Sequence, residues 1–265
     1  MQKNSNNKRD NDNDRDNDDE VELIFGHHSV VELLKSPTAG QRVNKVLVQK
    51  GLKSAHIGEV IELAKRSKLI VQEVPKNKLD DISNGGNHQG MAAYIAPYQY
   101  AELDDIFKAA KKKNEDPFIL ILDRIEDPHN LGSILRTADA VGVHGIIVPK
   151  HRSTGLTSVV AKTSTGAIEH VPVVRVTNLV NTINDLRKEN VWVFGTAMEG
   201  DNYRTWNAKG AVALVIGNEG KGVSPLVLKQ VDQTLSIPMV GHVQSLNASV
   251  ATGVLLYQAF ASRHA

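Results

Sequence analysis

From Phe118 onward the chain alternates between short apolar runs and longer segments whose apolar residues recur at helical spacing. Phe118-Ile119-Leu120-Ile121-Leu122 is apolar at every position, the pattern of a strand buried on both faces. After it the pattern predicts helices over residues 131–141, 158–165, 179–189, 225–229 and 246–262, and strands over 145–148, 171–174, 191–195, 211–216 and 234–237. Strands and helices in turn predict an α/β domain built on a mostly parallel sheet, covered by helices on both faces and binding ligands at the carboxyl ends of its strands.

The preceding stretch has a different rhythm. Between residues 21 and 98 the order reads helix, strand, helix, strand, strand: Ser29 and Glu32 form a capping box for a helix over 30–34, residues 43–48 alternate as a strand, 57–66 is an amphipathic helix, and 69–74 and 91–96 are strands. The polar, glycine-rich segment Ser83 to Gly90 separates the last two and reads as a surface loop. Residues 21–98 are thus a small α/β domain. Residues 99–116 read as a helix-containing linker whose Lys111-Lys112-Lys113 run is a solvated face rather than a contact to RNA phosphates, the competing reading, and 117–265 form the second domain.

Composition changes the picture mainly at the start. The first twenty residues carry six Asn and seven acidic against four basic residues, with almost nothing apolar, so 1–20 read as a disordered polar tail of net charge −3. Without it 27 basic residues face 23 acidic ones, a mild basic bias compatible with nucleic acid. The chain has no cysteine, which excludes disulfides and thiolate chemistry and fits a reducing cytoplasm. No apolar run approaches a membrane span and no secretory leader is evident, so no membrane partner and a cytoplasmic location are expected.

Two polar segments stand at strand ends where core packing would favour Leu, Val and Ile: Gly217-Asn218-Glu219-Gly220-Lys221-Gly222 and Ser245-Leu246-Asn247-Ala248-Ser249. The first is not a P-loop, because Gly rather than Ser or Thr follows Lys221. Nor is there a Gly-x-Gly-x-x-Gly fingerprint after the first strand, where Asp123-Arg124-Ile125-Glu126-Asp127-Pro128 stands instead. Ser245 has no evident His-Asp partnership for nucleophilic catalysis. His129 and His242 flank these polar segments, either lining a site or bonding within loops. His27 and His28 are adjacent rather than spaced for chelation and no acidic cluster accompanies them, so no metal is expected.

Three segments in order, Asn130-Leu131-Gly132-Ser133-Ile134-Leu135-Arg136-Thr137-Ala138, Ile216 to Gly222, and Ile237-Pro238-Met239 followed by Ser245 to Ser249, closely resemble the motifs of the SpoU, or TrmH-type, RNA ribose 2′-O-methyltransferases. The resemblance covers about residues 21–262 and includes Gly26-His27-His28-Ser29-Val30 at the start of a substrate-binding domain similar to ribosomal-protein L30e. It implies a SPOUT-type α/β domain with a C-terminal trefoil knot, preceded by the small L30e-like domain, an S-adenosyl-L-methionine cofactor held in the knot, and a homodimer with the active site at the subunit interface. It places Gly217, Ile237 and Leu246 against the cofactor, with Thr196 and Ala197 as neighbours, and Gly217 as the residue that lets the ligand approach the backbone. It also places Asn130, Arg136, Glu219, Ser245 and Asn247 around the reaction.

Chemistry assigns roles within that set. Methyl transfer from a sulfonium to a ribose hydroxyl needs in-line alignment, loss of a proton and donors for the developing alkoxide. A guanidinium remains protonated in proteins, so Arg136 is read as a phosphate anchor and alkoxide stabiliser in its own or the partner's site, rather than as a base. Asn130 is read as a helix cap. An Arg136 to Glu219 structural ion pair is the competing interpretation. The layout resembles members acting on a guanosine of large-subunit (23S) rRNA more than compact tRNA-specific ones. A non-catalytic RNA-binding module and a small-molecule methyltransferase remain as other classes.

Overall fold

The computed structural model describes residues 22–36, 38–96, 98–242 and 245–265. The polar tail expected over 1–20 lies outside them.

The N-terminal domain contains β1 (Glu22–Phe25), α1 (His27–Lys35), α2 (Ala39–Arg42), β2 (Val43–Gln49), α3 (Ala55–Arg66), β3 (Ile70–Val74), α4 (Lys76–Ile82) and β4 (Met91–Ile95). Its sheet runs β1-β4-β2-β3, antiparallel except between β2 and β3. Val46 and Val48 face α1 and α3, joined by Val43 across a register shift between Val43 and Lys45, while Leu47 on the opposite face packs with Leu79 of α4, so the strand serves two cores. The expected Ser29–Glu32 capping box is absent. The helix begins earlier, at His27, after Gly26 turns the chain at φ 89°, and its first N–H is capped from a distance by Oε1 of Gln89 at 2.8 Å. The segment over 83–90 is more tightly packed than a surface loop, since His88 is buried, accepts from the Gly90 N–H at 3.0 Å and meets Asp80 at 2.9 Å.

The second domain is laid out as its pattern predicts. In order it contains α5 (Leu103–Lys113), β5 (Phe118–Asp123), α6 (Pro128–Ala140), β6 (Gly145–Pro149), α7 (Ser158–Ser164), β7 (Val173–Val176), α8 (Leu179–Lys188), β8 (Trp192–Asn202), β9 (Val212–Gly217), α9 (Pro225–Leu228), β10 (Gln233–Ser236) and α10 (Ala248–Arg263). The sheet order is β10-β8-β9-β5-β6-β7, with every pairing parallel. Phe118, Leu120 and Leu122 join the core beneath α6, α7 and α10, whereas Ile119 and Ile121 join the one beneath α5 and α8. Ile106 places α5 in that second core, so the segment read as a linker supplies a covering helix, and Lys111 to Lys113 form its exposed last turn. Among the described residues no helix is long and apolar enough to cross a membrane.

One arginine ties the two domains together. Arg175, on β7, donates to the backbone carbonyls of Gly40 and Val43 at 3.2 and 2.6 Å and to Oδ1 of Asn44 at 3.0 Å, with its guanidinium carbon 4.3 Å from the Tyr100 ring centroid. Charge-assisted hydrogen bonds are among the stronger contacts a protein makes.

Candidate active site

The middle of β8, the carboxyl ends of β9 and β10 and the start of α10 enclose a cavity of about 590 Å³. Its wall includes all five residues expected at the cofactor, Thr196, Ala197, Gly217, Ile237 and Leu246, together with Glu219 and Ser245. Thr196 is fixed by its hydroxyl, which donates to the Val215 carbonyl at 3.1 Å. Leu235, Ala248, Ala251 and Leu255 supply an apolar floor. An apolar floor beside the polar residues Asn218, Glu219 and Ser245 suits a ligand that carries both apolar and polar groups.

The loop over 217–223 is held from outside the cavity. Asp123, buried at the end of β5, accepts from the Ser224 N–H at 2.6 Å, and Arg124 donates to the Gly222 carbonyl at 3.2 Å. In return the Asn218 side chain donates to the Arg124 carbonyl at 3.2 Å. The sequence reading missed these two positioning residues; the signal was a charged pair directly following a wholly apolar strand. Gly217 also has a different reason to be glycine than the one expected. A Cβ there would stand 2.1 Å from the Gly222 carbonyl carbon and from the Val223 nitrogen, so the space is taken by the loop's own backbone rather than reserved for a ligand.

Asn130 is not a cap. Asp127 occupies the N-cap of α6, accepting from the His129 N–H at 2.8 Å, and Pro128 fills the first helical turn, leaving Asn130 inside the helix and buried. Its side chain instead joins two motifs: Nδ2 donates to Oε1 of Glu219, and Oδ1 accepts from Nδ2 of Asn247 at 2.9 Å. Asn247 caps α10, its Oδ1 accepting from the Ser249 and Val250 N–H groups at 3.0 and 3.3 Å. Gly132, on the same helix, brings α6 against α7, where a Cβ would meet that of Thr163 at 2.5 Å.

Arg136 is exposed, does not line the cavity of its own chain, and its side chain makes no hydrogen bond or ion pair among the described residues. The Arg136 to Glu219 pair is therefore not formed; Glu219 is engaged by Asn130 instead. His129 and His242 are exposed.

Residues 117–257 match the model of the SpoU rRNA methylase family, and residues 23–101 match that of the RNA 2′-O ribose methyltransferase substrate-binding domain. The chain belongs to the SpoU family. It is 53% identical over 246 residues, covering 92% of this chain and 98% of the relative, to a putative TrmH family tRNA/rRNA methyltransferase of Staphylococcus aureus. It is 49% identical over 244 residues, 92% of this chain and 96% of the relative, to YacO of Bacillus subtilis, which carries the same description. Among solved structures, the SpoU methyltransferase AviRb of Streptomyces viridochromogenes in complex with AdoMet is 26% identical, with a TM-score of 0.56 over 90% of this chain and 89% of that one. An AdoMet-bound rRNA methyltransferase from Sinorhizobium meliloti is also 26% identical, with a TM-score of 0.56 over 89% and 85% of the two chains. The A. aeolicus TrmH/SpoU tRNA-modifying enzyme is 30% identical, with a TM-score of 0.52 over 60% of this chain and 84% of that one. This SpoU member is thus an RNA methyltransferase that uses S-adenosylmethionine.

Proposed function

We propose that this SpoU member methylates the 2′-hydroxyl of a guanosine ribose in 23S rRNA, as a homodimer. The observation that carries the reading is one cavity lined by Thr196, Ala197, Gly217, Ile237 and Leu246, with Glu219, Asn130 and Asn247 hydrogen-bonded in series at its edge. Bound there, S-adenosylmethionine supplies an electrophilic methyl group. Glu219, Asn130 and Asn247 form a prearranged polar edge that fixes the ribose: the Glu219 carboxylate accepts, and the carboxamide N–H groups of Asn130 and Asn247 supply the donors as charge develops on the oxygen. Arg136, exposed, outside its own chain's cavity lining and without a side-chain partner among the described residues, suits a phosphate of RNA bound in the partner's site. The proton leaves through water or phosphate.

Two features support the assembly. Val250, Tyr257 and Phe260 leave an apolar stripe exposed along α10, beside the cavity wall that the same helix builds, and Arg136 needs a site it does not find in its own chain. The C-terminal threading expected of the family belongs to the same proposal, as does a cytoplasmic location. Ribosomal RNA is favoured over tRNA because neighbours described as acting on tRNA cover only 60% and 56% of this chain, whereas the Sinorhizobium rRNA enzyme covers 89%, and this chain carries a substrate-binding domain in the part they leave uncovered or only partly covered.

Mapping ribose methylation in total RNA from cells with and without the protein tests the reading, alongside calorimetry with S-adenosylmethionine. Loss of one methylated guanosine in 23S rRNA is the expected result. A missing tRNA methylation would move the substrate to tRNA, and cofactor binding with no lost methylation in any RNA would leave a non-catalytic RNA-binding module.

A further inference from the structure

Three side chains of metal-ligating type converge in the N-terminal domain, none of them among the residues that line the cofactor cavity. His27 opens α1, while His56 and Glu59 lie in the first turns of α3, where i, i+3 spacing sets both on one helix face. Nε2 of His27 stands 3.0 Å from Oε2 of Glu59 and 3.1 Å from Nδ1 of His56, and all three donor atoms lie within 4.8 Å of one another. The two imidazole rings are 3.9 Å apart at 56°.

Protons serve this arrangement poorly. A neutral imidazole has one N–H. Placed on Nε2 of His27, it is claimed at once by the Glu59 carboxylate and the His56 lone pair; placed on Nδ1 of His56, it leaves the bare Nε2 of His27 facing a carboxylate oxygen. A cation resolves the conflict by accepting all three lone pairs. In a tetrahedral site with bonds of 2.0–2.1 Å the donor atoms stand roughly 3.3 Å apart, close to two of the separations found here. Glu59 offers a carboxylate oxygen to the cluster, and its other oxygen lies 3.7 Å from Nζ of Lys35. Two imidazole nitrogens and one carboxylate oxygen favour zinc-class ions over magnesium or calcium, which prefer all-oxygen sites.

We propose that His27, His56 and Glu59 form a binding site for a zinc-class divalent ion, with the fourth coordination position open to solvent. The ion staples the start of α1 to α3. Because the His27 backbone N–H is held by Gln89, it also anchors the glycine-rich loop of the substrate-binding domain. The absence of metal expected from the adjacent His27 and His28 is revised accordingly: the partners come from a helix about thirty residues on, and His28 takes no part.

The test uses the full chain, stripped with a chelator and titrated with Co²⁺ as a spectroscopic stand-in, then with Zn²⁺ in competition. One equivalent of Co²⁺ with visible bands of a four-coordinate site, displaced by one equivalent of Zn²⁺, is expected. His56→Ala and Glu59→Gln, both on the exposed side of α3, are expected to lose the band and at least tenfold in Zn²⁺ affinity while keeping the wild-type circular dichroism. His28→Ala is expected to retain both. The same band and affinity in His56→Ala and Glu59→Gln as in wild type, or no stoichiometric binding at low micromolar free Zn²⁺, would overturn the site.

Discussion

Replacing Gly217 by alanine tests whether the cavity's rim depends on backbone packing or on room for a ligand. The added Cβ would stand 2.1 Å from two backbone atoms of Gly222 and Val223 and 2.4 Å from the Gly222 oxygen, so the loop must retreat by about 1.3 Å to restore ordinary contact. That retreat works against the bonds holding the loop, from the Ser224 N–H to Asp123 at 2.6 Å, from Arg124 to the Gly222 carbonyl at 3.2 Å and from the Gly222 N–H to the Asn218 carbonyl at 2.8 Å. Overpacking costs ~1–3 kcal/mol. Gly217 has no positive φ, so alanine recovers ~0.4–1 kcal/mol by restricting the unfolded chain, and a net loss of about 1–2 kcal/mol is expected. Gly220→Ala is the control, since its Cβ would meet only Oδ1 of Asn218, at 3.6 Å. Denaturant unfolding and calorimetry with S-adenosylmethionine measure both effects. Gly217→Ala is expected to be less stable and to bind at least tenfold more weakly, with Gly220→Ala within ~0.5 kcal/mol of wild type in stability. Wild-type stability and affinity in Gly217→Ala would refute the packing argument.

Two further outcomes are expected. Arg136→Lys retains some RNA methylation and Arg136→Ala nearly none, while mixing inactive Arg136→Ala and Asn247→Ala chains restores activity in heterodimers, as a site shared across the dimer requires; confirmed heterodimers without activity would place Arg136 in cis. His144 is buried and its pKa is lowered, first by desolvation and then by Lys113 and Arg263, against the opposing pull of Glu115 at 3.2 Å. The unfolded chain therefore binds a proton that the folded one refuses, and stability falls as pH drops below about 6.5; His144→Asn is expected to flatten that slope in unfolding measured from pH 7 to 5.

The second domain was legible because its signals are local. The run Phe118 to Leu122 is apolar at every position because both faces of β5 are covered, and the helices that follow keep their spacing. What the sequence concealed depended on tertiary partners. β8 extends to Asn202 through residues exposed from Met198 onward, so no apolar pattern marks its end. Asn130 looked like a cap because carboxamides favour that place; Pro128 was the better sign, since proline fits the first helical position and pushes the cap back to Asp127. Gly217 was read through its motif, while the atoms that demand glycine belong to residues five and six positions later, a fold-back that composition does not encode. His56 and Glu59 are paired by helix periodicity, yet nothing local announces His27 as their neighbour.

The hydrogen bonds through Asn130 also bear on how the molecule reaches its native state. They span 89 residues to Glu219 and 117 to Asn247, so loop-closure entropy opposes them until most of the sheet between has formed. Local helices and the β5–β6 pair can form early; this polar edge is a late event. A collapsed chain with native secondary structure but unjoined ends would lack the cavity rim, and during refolding the return of cofactor binding is expected to trail the return of helical circular dichroism.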